Sequence, residues 1–94
     1  MTLFTKSFIN EKGIMRQMEY RLLIHSAEAG EAYGIEIRMT DAAGNAETET
    51  VAGLCENRED VETFIEKLAE GLALPMELAV LCDDFVSERE RFVL

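Results

Sequence analysis

The chain has 94 residues, 48% of them hydrophobic and 30% charged, which describes one folded domain with a single core and excludes intrinsic disorder. Nineteen acidic side chains against nine basic ones give a formal net charge of −10. A surface of that sign repels phosphate backbones and anionic lipid headgroups, so the reading is no nucleic acid and no membrane among its partners.

Residues 1–14 mix isolated apolar side chains, Leu3, Phe4, Phe8 and Ile9, with polar ones and end near Gly13, without a clean helical or strand period. They read as a tail or a weak extra strand, with Met15 and Met18 as alternative starts. The opening MTLFTKSFIN has no apolar block of a secretory leader, and no run approaches the ~20 apolar residues that span a bilayer. The expected location is cytoplasmic, and residues 15–94 form the expected single α+β domain.

From Met18 the pattern sharpens. Met18, Tyr20, Leu22 and Ile24 alternate with Glu19, Arg21, Leu23 and His25, the period of two of a strand with one buried face. After SAEAGE, the stretch AYGIEIRMT repeats it, with Tyr33, Ile35, Ile37 and Met39 on one side and Glu36, Arg38 and Thr40 on the other. Opposite charges favour each other across an antiparallel pair by ~0.2 to 1 kcal/mol, so Arg21 should face Glu36 and Glu19 should face Arg38, with a loop of about six residues around Gly30. The turn DAAGN leads to a third strand, AETETVAGLC. Its inward face is expected to be Thr48, Thr50, Ala52 and Leu54, with Glu49 opposite Arg38; the alternative turns Val51 inward through a bulge at Gly53.

Asn57 is placed to cap a helix over about 58–70, with Glu59 and Asp60 in its first turn at the positive end of the backbone dipole. Val61, Phe64, Ile65, Leu68 and Leu72 form its apolar stripe, and Gly71 offers a left-handed stop. Pro75 fits the first position of a second helix carrying Leu78, Leu81, Cys82 and Phe85. The expected architecture is therefore α+β: a three-stranded antiparallel meander in the order β-β-β-α-α, with two helices packed on one face.

The stretch YGI at Tyr33-Gly34-Ile35, the capped helix, and Leu74-Pro75-Met76-Glu77-Leu78 leading to Asp84-Phe85 resemble a family of short bacterial proteins, mostly from Firmicutes, known only as a domain of unknown function. The similarity covers about residues 18–87. It implies this architecture and no catalytic residue, cofactor or substrate. Where that family often carries histidine before the leucine of the second helix, this chain has Glu77.

Asp83 and Asp84 are the most site-like pair, yet with Leu78 as the buried direction they lie near about 140 and about 240 degrees around the helix, too far apart to share one ligand. No metal site is expected, because carboxylate di-metal centres need histidines at fixed spacing and His25, the only histidine, belongs on a strand's outer face. Cys55 and Cys82 are 27 positions apart in sequence, without CxxC spacing, and read as reduced, buried thiols. No cofactor and no catalytic residue is expected. Two acidic helix faces remain, Glu59, Glu62, Glu66 and Glu70 on the first helix and Glu77, Asp84 and Glu88 on the second, each suited to a protein partner with a basic surface. A homodimer is also expected, through edge pairing or packing around Leu23, Phe4 and Phe8. The leading functional reading is a non-catalytic protein-interaction or regulatory module. The other is a small-molecule binding protein or enzyme with a pocket near Tyr20, Tyr33 and Met39.

Overall fold

Runs that alternate apolar with polar residues pair in chain order in a computed structural model that describes residues 1–93, with side chains described through residue 89. The strands are β1 (Thr2–Ile9), β2 (Met15–Ala27), β3 (Gly30–Asp41) and β4 (Ala46–Cys55), joined antiparallel in the order β1-β2-β3-β4. Helix α1 (Arg58–Glu70), a single 3-10 turn (Pro75–Glu77) and helix α2 (Leu78–Val93) complete the chain. The α+β class with two helices is as expected, but the sheet has four strands rather than three.

The extra strand is the segment 2–9, whose period is hidden in sequence by a bulge at Leu3. The register slips between Thr2 and Phe4, after which Phe4, Lys6 and Phe8 oppose Tyr20, Met18 and Arg16 on the helix-covered face. The main chain of Met1 also bonds Leu22, accepting from its N–H at 2.8 Å. A tight turn follows, in which Asn10 Oδ1 accepts the N–H groups of Lys12 and Ile14.

Between β2 and β3 the charge-based register holds, with Glu19 opposite Arg38 and Arg21 opposite Glu36. Arg21 Nη1 donates to Glu36 Oε1 at 3.1 Å, and Thr50 Oγ1 extends the network to the other carboxylate oxygen. The six-residue loop is corrected to a two-residue turn, because Ser26 and Ala27 continue the ladder until Ala27 faces Gly30. Gly30 takes a φ of +123°, which the turn requires and other residues resist.

Strand β4 shows the opposite face to the one expected over Thr48 and Thr50, whereas Leu54 packs against the core as expected. Thr48 and Thr50 oppose Arg38 and Glu36 on the outer face, while Glu47, Glu49 and Val51 oppose Met39, Ile37 and Ile35 on the helix side. Glu49 therefore does not meet Arg38. The alternative is what occurs: Val51 turns inward and the register slips before Cys55 pairs with Tyr33, with Gly53 at a φ of +61°. Two inward glutamates are tolerated because β4 is an edge strand, where both remain solvated.

Asn57 caps α1 as expected, its side chain accepting from Asp60 N at 3.1 Å. The left-handed residue at the other end is Leu72, with φ +51°, and not Gly71, with φ −85°. The N–H of Ala73 reaches back to Leu68 O and that of Leu72 to Ala69 O, a Schellman closure that returns Ala73 to the core. Pro75 opens the 3-10 turn instead of α2 itself, and Leu74 N donates to Glu77 Oε1 at 2.9 Å. Val61, Ile65, Leu68 and Ala69 of α1 and Leu78 and Cys82 of α2 close over Met18, Tyr20, Leu22, Ile35 and Ile37.

Gly34 sits where β4 bulges across β3: a Cβ there would lie 2.3 Å from Val51 O and 2.8 Å from Ala52 Cα. Backbone cannot yield cheaply, so Gly34→Ala should cost about 3 kcal/mol in chemical denaturation. An unchanged midpoint would show that the bulge relaxes without loss.

Candidate functional site

The short link between the helices lays α2 beside α1, and the flanks of their apolar stripes meet there. Phe64 and Phe85 stack with ring centroids 4.6 Å apart and planes 10° apart. They and Leu81 floor an open groove of about 560 Å³. Asp60, Thr63 and Lys67 form its α1 wall, and Asp84, Glu88 and Arg89 its α2 wall. The Arg89 guanidinium lies 5.6 Å from the Phe85 ring centre and donates to Asp60, an ion pair that also raises its already high pKa. Both side chains of that pair are more than two-fifths exposed, so it orients Arg89 more than it stabilises the fold.

A second, smaller groove of about 250 Å³ runs along the opposite flank of α1. Leu3 and Phe4 of β1 form one side, and Glu59, Glu62, Thr63 and Glu66 the other. Thr63 belongs to both grooves, so α1 is a ridge between two furrows. Glu62 accepts from Arg58 Nε at 2.6 Å, one turn away.

The seven acidic residues singled out in sequence therefore separate into three places. Glu59, Glu62 and Glu66 line the smaller groove, and Asp84 and Glu88 line the larger one. Glu70 is exposed and lines neither, and the Glu77 carboxylate is turned to the Leu74 N–H. Asp84 and Glu88 thus form a ridge without Glu77. Among the described residues, Glu59, Glu66, Asp84 and Glu88 have no ion-pair partner. Asp83 points away from the groove, and its charge adds to the burial that pushes the neighbouring Cys82 thiol up to about 11.

The residues named for an internal pocket are packed instead. Tyr20 has no exposure and Met39 and Tyr33 are buried in the core cluster, while the grooves described above are lined by other side chains. Tyr20 donates to Ala73 O at 3.0 Å, and Tyr33 donates to Glu31 Oε2 at 2.7 Å, a bond that raises the Tyr33 pKa. Both cysteines are free thiols; Cys55 is half-buried and accepts the N–H of Asn57 at 3.3 Å. His25 is exposed on the outer face, opposite Ala32. Among the described residues, no three His, Cys, Asp or Glu side chains converge as a metal-ion site, and no helix is long and apolar enough to cross a membrane.

Sequence reasoning located the acids but missed the floors of both grooves. Phe64 and Phe85 each lie at the edge of an apolar stripe, and two stripe-edge aromatics on adjacent helices were the available signal. Leu3 and Phe4 belong to the segment read as a tail or a weak extra strand, and Arg89 lies in a stretch assigned to no site.

The chain belongs to a family described as Family of unknown function (DUF6514), whose model it matches over residues 1–88. That span takes in β1, which the resemblance over about 18–87 had left out. Comparison with curated proteins and with solved structures finds no match.

Burial, with a smaller contribution from Glu77, pushes the Tyr20 phenol up to about 12 from an ordinary value of 10.0. The unfolded phenol loses its proton first, so this contribution to stability is complete below about pH 10 and declines as pH rises towards about 12. Tyr20→Phe should cost about 1 to 2 kcal/mol at neutral pH, by orphaning the Ala73 carbonyl, and should flatten the alkaline decline. Urea melts across pH 7 to 12 would read both, and an alkaline limb unchanged in Tyr20→Phe would refute the assignment.

Proposed function

We propose that this member of the family is a non-catalytic protein-interaction module that receives a basic, amphipathic segment of a partner along α1. The observation that carries the reading is the larger groove, where a Phe64–Phe85 floor half-open to solvent lies beside Asp84 and Glu88. An apolar side chain entering such a trough gains burial, while a lysine or arginine beside it meets a carboxylate at the rim. The net charge of −10 extends the attraction beyond contact range and steers a cationic partner inward. Two free cysteines support a reducing, cytoplasmic setting, and the resemblance described above supports a bacterial one.

The reading is tested with fluorescent peptides in which Lys or Arg flanks Leu or Phe at helical spacing, titrated with the protein and followed by anisotropy. Binding should weaken as salt is raised, and Asp84→Lys combined with Glu88→Lys should weaken it by about tenfold, or ~1.4 kcal/mol. Acidic peptides of the same apolar content should not bind. Binding that ignores both salt and the double substitution would overturn the proposal.

A further inference from the structure

The charge of this protein is divided along its length. Residues 1–25 hold four of the nine basic side chains, Lys6, Lys12, Arg16 and Arg21, and only two of the nineteen acids, Glu11 and Glu19. The β1–β2 hairpin is thus basic in an otherwise acidic molecule. Its tip is also apolar: Ile9 is 65% exposed, Met15 58% and Ile14 41%, and Ile9 faces Met15 directly across the strand pair. Clustered exposure of this kind around one turn marks a contact surface. The tip cannot bend back onto its own helices, because Ile9 and Met15 are held in the sheet ladder on either side of the turn.

We propose that the β1–β2 tip of one copy seats in the α1–α2 groove of another, so that the chain associates with itself head to tail. This rests on the groove being the docking site argued above, and names its occupant. The match is chemical on both counts. Ile14 and Met15 present aliphatic side chains to the Phe64–Phe85 floor, and Lys12 meets Asp84 and Glu88 at the rim. A groove of about 560 Å³ accommodates such a pair of side chains. The contact joins two different surfaces, so one copy offers both a tip and a groove, and association proceeds by ring closure or chain growth. It also differs from packing around Phe4 and Phe8, which lie half-buried against the core of their own copy.

Sedimentation equilibrium of the full chain at low salt tests this with two variants whose substitutions are all at exposed positions. The tip variant carries Lys12→Glu and Ile14→Ser; the groove variant carries Asp84→Lys and Glu88→Lys. The wild type should gain average mass with concentration and lose it as salt is added. Each variant alone should associate at least about tenfold more weakly. Mixed, they should form a one-to-one complex, because the intact groove of the first accepts the intact tip of the second. Wild-type protein that stays monomeric at every concentration overturns the inference, and so does association that neither variant disturbs or a mixture that forms no complex. If the basic peptides still bind a monomeric wild type, the docking site stands and only its occupant is wrong. If they fail as well, both readings fall.

Discussion

Tyr20 lies at the centre of the sheet with its phenol closed off from solvent, and a hydroxyl in that position must find an acceptor or cost about 1 to 3 kcal/mol. Ala73 O supplies it, from 53 residues further along the chain. The bond fixes the link between the helices over the middle of β2. Leu72 accepts an unfavourable left-handed backbone so that Ala73 can reach this place, and the chain leaves it in the direction that brings α2 alongside α1. The stacked phenylalanines, and the groove they floor, follow from where that link is tied.

The parts of the fold legible in sequence are those where two independent signals agree. In β2 and β3, alternation chose the inward face and paired charges chose the register, and both held. At α1, the Asn57 side chain and the first-turn carboxylates marked the same end. In β1 a bulge shifts the phase of alternation, so a single period cannot describe the strand; in β4 the ladder is interrupted between Val51 and Cys55, and the face towards the helices carries Glu47 and Glu49, so apolar alternation does not mark it. In β4 the edge position then allowed glutamate on the side that burial would forbid at the sheet centre.

The candidate site was half legible for a related reason. Charge is visible in composition and spacing, and five of the seven marked acids line the grooves. Whether a stripe-edge aromatic is covered or left open depends on the distance between two helices, which no local pattern states. Phe64 and Phe85 read as interior and Leu3 and Phe4 as part of a tail or weak extra strand, yet all four line the grooves. Glu77 is exposed but stands apart from the grooves, because the 3-10 turn gives its carboxylate the Leu74 N–H to accept.

The inward-facing charges of the two outer strands have one more consequence. Lys6 on β1 and Glu47 and Glu49 on β4 occupy the positions that a neighbouring molecule's strand would have to cover in order to extend the ladder. Pairing like border to like border would set Lys6 beside Lys6, or the β4 glutamates beside their own copies, and like charges on one face oppose such an array. With a bulge also kinking each border, addition of a further strand is disfavoured at both sides. Solvated inward charge at both borders is thus a guard against ladder extension.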